Sequence, residues 1–303
     1  MHRSNPDGSD GLGGLLGEIG DLKRIRSAGR LGSIATRLFR LAWAELTGGA
    51  AAADVAHRVT AQALAAARLG DLDRSLLVKA GLPTAEVDAI LRRAVEEITV
   101  RIEEPLRSTL MDAIAVPSSD LGGAQPRFVA LLEEQPRAGV TCPGRPRIVL
   151  QPAENHAEHC LVVAVYGVLL SPRYGADAAV VFLAALAHHL HSAGMPDAGF
   201  TGEMLLGDRL EAVMQHFTGD ALASLGPDLR RRVVEARACL IDAETSEGRA
   251  FHAADVVDRV LEIAQHLRST SLTMETVLGD MALVHDGPMK PFHDRVLAEM
   301  RLP

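Results

Sequence analysis

Apolar positions recur at helical spacing over most of the chain. From Ile34 the period runs through Leu38, Leu41, Ala42 and Leu46, until Gly48 and Gly49 stop it. A second helix is expected over Ala52–Leu69, with residues 70–73 as the turn that follows. Thr84 is expected to cap a third, whose apolar face carries Val87, Ile90, Leu91, Val95 and Ile98. These elements predict a helical amino-terminal region over 34–115. Before it, residues 1–33 are Gly-rich and polar and read as a flexible leader.

Periodicity is lost over 116–150, where prolines and glycines accumulate, so a linker or long loop is expected, with 147–151 as a short strand or extended lead-in. It returns after Pro152. Apolar helix-like runs span 159–170, 183–190 and 251–261, and they define a second region over 151–270 with a helical extension over 271–303. The two helical regions share no repeated motif.

Composition supports the same picture. Hydrophobic residues make up 48% and aromatics only 3%, with alanine and leucine dominant, which favours helix over sheet and predicts an all-α fold. The net charge of −8, with no basic run longer than Arg230–Arg232, argues against a nucleic-acid partner. Trp43, Tyr166 and Tyr174 are too scattered to form a stacking platform. Cys142, Cys160 and Cys239 show neither zinc-type pairing nor a disulfide framework and read as small core residues of a cytoplasmic protein. No window reaches the roughly 18 apolar residues of a membrane span, so neither secretion nor membrane insertion is expected.

Chemistry concentrates in histidines. His188, His189 and His191 end an alanine- and leucine-rich run, and His156 and His159 open the run before it. Imidazoles on apolar segments must share a ligand or a hydrogen-bond network, because burying them unpaired is costly. At i, i+3 spacing, His156 with His159 and His188 with His191 are each expected on one helix face. A distant aspartate, Asp255, stands inside a third helical run.

The order His159, then His188-His189, then Asp255 resembles the HD-domain superfamily of helical metal-dependent phosphohydrolases, whose pattern is His, His-Asp, and a distant Asp. The resemblance covers roughly residues 150–270. It implies an HD-like helical bundle in which His159, His188 and Asp255 ligate a divalent metal ion (Fe, Mn, Zn, Co or Ni), with His189 standing where the family has aspartate. Three histidines and one carboxylate leave such a site at about +1, which favours a bound hydroxide or an anionic substrate. A neutral imidazole has one free lone pair, so His189 cannot bridge two metals as a carboxylate does. A mononuclear site or a lost one gains weight.

Around that set, His156 and His191 are expected as general acid or as groups that orient the nucleophile, and Asp197, Glu203 and His216 as further ligand candidates on the acidic segment that follows. Asp258 reads as a surface ion pair or cap. The dipeptides His285-Asp286 and His293-Asp294 read as surface helix and turn. The amino-terminal helices are expected to pack against the metal-binding part or a second subunit, as in a homo-oligomer, and to supply no ligand. Three functions are consistent with this pattern: an HD-type hydrolase acting on a phosphate ester or nucleotide-like small molecule, an HD-like iron oxygenase, and a non-catalytic signalling or interaction module. No phosphate loop or nucleophile elbow competes with them.

Overall fold

The computed structural model describes residues 11–118, 125–267, 273–280 and 282–302. Its α-helices are α1 (Leu12–Gly20), α2 (Ile34–Thr47), α3 (Ala52–Leu69), α4 (Arg74–Lys79), α5 (Thr84–Ile98), α6 (Leu106–Ala113) and α7 (Arg127–Glu134), then α8 (His156–Tyr174), α9 (Ala178–Ala187), α10 (Gly199–Leu206), α11 (Leu210–Ala223), α12 (Pro227–Arg237), α13 (Ser246–Leu267) and α14 (Lys290–Glu299). Among the described residues β pairing is confined to two isolated bridges, Pro136 with Asn155 and Val140 with Ile148. The fold is all-α.

Helix α8 is the hub. Every residue from His156 to Ser171 is buried, as expected of a helix that is apolar all round and surrounded by others. It packs against α9 and α13 and, on its other sides, against α2, α3 and α7. Its start is fixed by a reciprocal capping box: Glu158 N donates to Asn155 Oδ1 and Asn155 N donates to Glu158 Oε2, both at 2.9 Å. That cap sets the rotation of the first turn, which carries His156 and His159. Gly175, in the left-handed conformation at φ +65°, ends the helix. In its middle Gly167 lets α9 approach, since a Cβ there would lie 2.5 Å from Val181 Cγ1.

Several expectations are corrected. Thr84 is the first helical residue of α5, and Pro83 takes the cap position. The segment read as a flexible leader is ordered from residue 11: α1 and the 3-10 turn Asp21–Lys23 bury Leu15, Leu16, Ile19, Leu22 and Lys23, while residues 1–10 lie outside the described residues. The supposed linker contains α7, whose Phe128, Val129 and Leu132 are buried and whose Phe128 ring meets Trp43 edge to face at 4.8 Å. Its later part is a turn closed by Val140 N to Ile148 O and Ile148 N to Val140 O, at 3.0 and 2.9 Å. Helices α1, α2 and α3 pack on α8, and α3 also on α9, while α5 and α6 pack on α3, so most of the amino-terminal apolar faces join a core continuous with the rest of the chain; α4 buries no residue.

Helix α9 also stops earlier than its apolar run suggests. It ends at Ala187, His188 is its cap, and a 3-10 turn follows over Leu190–Ala193. The final carbonyls find side-chain donors: the Arg237 guanidinium bonds Ala187 O, and His188 Nδ1 lies 2.6 Å from Ala185 O. His188 and His191 therefore do not share an α-helical face. The tightened turn instead brings the His188 and His189 rings to a centroid separation of 4.2 Å.

A candidate metal centre of histidines

The first turn of α8 and the end of α9 face one another across the core. His159, 1% exposed, has the His188 ring at 5.0 Å and the His189 ring at 5.2 Å between centroids. The His156 ring lies 4.7 Å from His189, and the His191 ring 5.3 Å from it. Five imidazoles thus form one cluster. Ring nitrogens of His159, His188 and His189 lie within 4.8 Å of one another, a grouping able to hold a metal ion.

Tautomers follow from the partners. His159 Nδ1 lies 2.7 Å from Asp258 Oδ2, and a carboxylate has no proton to give, so the imidazole Nδ1–H donates. His188 Nδ1–H likewise donates to the Ala185 carbonyl. Each neutral ring then has a bare lone pair on Nε2, and those two atoms are 3.1 Å apart. Asp255 Oδ1 is 3.3 Å from the same His159 Nε2. Only a cation among these atoms, a proton or a metal ion, relieves the repulsion. Atoms each about 2.1 Å from one ion, at angles between octahedral and tetrahedral, are separated by about 3.0–3.4 Å.

Burial disfavours the charged form of four of the five imidazoles. It holds His188 and His189 well below the usual imidazole range, helped by the neighbouring His159 and His188 respectively. His156 is lowered by burial and then by Arg137, and His191 falls to about 4 through burial and Arg237. Neutral imidazole is the ligating form. Both nitrogens of His156 and the Nδ1 atoms of His189 and His191 are buried without a hydrogen-bond partner, which native structures rarely tolerate without an ion or a reacting group. The residues fit a divalent ion. Asp255 stands beside the grouping of His159, His188 and His189, 3.3 Å from His159 Nε2 but outside the set whose atoms all lie within 4.8 Å of one another; burial opposes its ionisation, but Arg259, at 3.0 Å from Oδ2, leads the interactions that hold its carboxyl well below the ordinary range.

A second grouping able to hold a cation, Glu154, His159 and Asp258, already has one. Lys23 Nζ lies 2.7 Å from Glu154 Oε2 and 2.6 Å from Asp258 Oδ1. Asp258 is therefore not the surface ion pair its sequence position suggests. It is 1% exposed and stands behind His159.

The remaining candidates separate. Asp197 accepts from Ala138 N and Gly199 N and lies 3.7 Å from His156 Nε2, so it flanks His156 and is no part of either cation-binding grouping. Glu203, its carboxyl raised by burial and then by Asp197, lies within the electrostatic reach of Arg259 and Arg137. His216 is 70% exposed and faces Asp220, away from the cluster. His285 and His293 are half-buried. His285 stacks on Phe200 at 3.7 Å, and His293, 6.0 Å from His252 between centroids, is lowered to about 4, chiefly by burial.

Arg137 carries no signal in the sequence. Arg137 Nε is 3.8 Å from Glu154 and 3.9 Å from Asp197, and its Nη1 has no partner. Arg137 comes to the site through the fold, so no local motif announces it, whereas Arg259 follows Asp255 at i, i+4 on α13, a spacing legible in the sequence. No family model matches the chain, nor does any curated protein or solved structure.

Proposed function

We propose that this chain is a metal-dependent hydrolase of HD type acting on a phosphate ester or nucleotide-like small molecule. The observation that carries the reading is His159, oriented from behind by Asp258 and presenting Nε2 to His188 Nε2 at 3.1 Å and Asp255 Oδ1 at 3.3 Å. His159, His188, His189 and Asp255 would hold the ion. A bound divalent ion supplies a water of lowered pKa and polarises a phosphoryl oxygen. His156, buried 3.7 Å from Asp197 with both ring nitrogens unpartnered, would exchange a proton with the attacking water or the leaving oxygen. His191, its ring 5.3 Å from His189, is the alternative group for that proton transfer. Arg137 and Arg259 flank the cluster and attract the anionic group.

With three imidazoles and one carboxylate the donor set is nitrogen-rich, which also suits iron, so an oxygenase is the second reading. A non-catalytic module is the third. The reading includes a cytoplasmic setting, which three free thiols suit. Among the described residues no helix is long and apolar enough to cross a membrane.

Element analysis of the purified full chain, with turnover of bis-p-nitrophenyl phosphate and oxygen consumption, tests these readings. Zinc, manganese, cobalt or nickel with turnover that disappears in His159→Ala is the expected result. Iron with oxygen consumption favours the oxygenase. A chain that retains no metal after loading overturns both.

A further inference from the structure

We propose that Lys23 is a positioning residue for the histidine centre: through Asp258 it fixes the tautomer and ring direction of His159, making the amino-terminal segment a working part of the site. The inference rests on the metal-site reading for its consequence but not for its geometry.

The chain of contacts is short and fully buried. Lys23 Nζ donates to Glu154 Oε2 at 2.7 Å, to Asp258 Oδ1 and Oδ2 at 2.6 and 2.8 Å, and to Glu262 Oε2 at 3.3 Å. The far side of Glu262 is held by Arg24 Nη2 at 2.6 Å and by His266 at 3.0 Å. Asp258, gripped by both oxygens, then accepts the His159 Nδ1–H at 2.7 Å. The ammonium is delivered by the 3-10 turn Asp21–Lys23, anchored by buried Leu16, Ile19 and Leu22 and by the Tyr166 hydroxyl, which donates to Leu16 O. Gly20 lets this turn sit against α8, because a Cβ there would meet Tyr166 Oη at 3.1 Å.

Orientation is what such an arrangement provides. Buried ion sets add little to stability compared with well-packed apolar side chains of the same volume. What this set does that an apolar cluster cannot is grip a carboxylate by both oxygens behind one imidazole, so that Nδ1 points at Asp258 and Nε2 toward His188 and Asp255. A carboxylate left without Lys23 would be free to turn toward Arg24 or Arg137, and His159 would lose its single tautomer.

The test uses the full chain, isotopically labelled, as wild type, Lys23→Met and Lys23→Met/Glu154→Gln, the last keeping the charge balance of the buried set. Two quantities are read: the His159 tautomer in the metal-free protein by long-range proton–nitrogen spectroscopy, and affinity for cobalt(II) by absorbance titration. The wild type is expected to show one Nδ1–H tautomer for His159. Both variants should show a tautomer mixture and bind cobalt about 10–100-fold more weakly, the loss typical of removing a partner behind a ligand, with helical content retained in the double variant. A folded double variant with the wild-type tautomer and wild-type cobalt affinity overturns the proposal. A wild type with the locked tautomer but no cobalt binding removes the metal-site reading and leaves the positioning role standing. Should neither lysine variant fold, Asp258→Asn, which keeps the shape and the Lys23 bond, gives the same two readouts; a wild-type tautomer with wild-type cobalt affinity in that variant overturns the proposal equally.

Discussion

Replacing Lys23 with methionine removes the one cation shared by three buried carboxylates. Of these, Glu262 keeps Arg24 at 2.6 Å and Glu154 keeps Arg137 at 3.8 Å, so the uncompensated group is chiefly Asp258. One buried charge stripped of its partner costs about 3–5 kcal/mol. Burial is the largest influence and opposes ionisation of both Asp258 and Glu262, but Lys23 together with His159 at Asp258, and with His266 and Arg24 at Glu262, holds both carboxyls below their usual range. A lowered carboxyl stabilises the fold above its unfolded pKa of about 4, and that contribution is lost as pH falls through the lower folded value. In Lys23→Met the Asp258 carboxyl rises and can protonate within the folded state. The penalty should therefore be full at pH 7 and shrink as pH drops below about 5. Urea unfolding of both proteins at pH 7.0 and pH 4.5, in metal-free buffer, measures it. A difference below about 1 kcal/mol at pH 7, or one that does not change with pH, would refute the electrostatic account of Lys23.

His189→Ala should release metal, because it removes a ring nitrogen from the grouping with His159 and His188, whereas His189→Asp should retain it; equal metal content in wild type and His189→Ala takes His189 out of the ligand set. Gly167→Val places a branched side chain where even a Cβ lies 2.5 Å from Val181, and should lower stability by about 1–3 kcal/mol in a thermal melt, while Gly219→Ala on α11, where a Cβ meets nothing within 4 Å, should not.

Which features are legible follows from what periodicity encodes. The helices Ile34–Thr47, Ala52–Leu69 and Thr84–Ile98 match their apolar patterns and glycine stops closely, because amphipathic spacing and termination are local properties. His159, His188 and Asp255 stand out by order alone, and the fold brings each of the latter two to His159. Lys23 and Arg137 do not, because both sit in Gly- or Pro-rich segments whose docking depends on partners up to 239 residues away, as Lys23 with Glu262 shows. Asp258 does leave a trace. Asp255, Asp258 and Glu262 fall at i, i+3 and i+7 in α13, among buried Ala254, Val257 and Ile263, so the acids share a stripe that the helix buries. Three acids in an apolar stripe demand a cation from elsewhere. The actual end of α9 leaves no such trace, since Arg237, which bonds Ala187 O, comes from a different helix.

The two layers of the site differ in charge, and that difference bears on what it accepts. Behind His159, Glu154, Asp258 and Glu262 face Lys23 and Arg24, a set of about −1 that is buried except for part of Arg24. In front, three imidazoles, counted in their ligating neutral form, stand with Asp255 and Arg259, a set of about zero before any ion is counted. Adding a divalent ion there leaves about +2 in a weakly solvated cluster. An aspartate at position 189 would halve that excess. The histidine therefore strengthens the pull on an anion while forgoing a bridge to a second ion, and His189→Asp should weaken inhibition by inorganic phosphate even as it retains metal. Unchanged phosphate inhibition in a metal-loaded His189→Asp variant would show that Arg137 and Arg259, rather than the charge of the donor set, govern anion recognition.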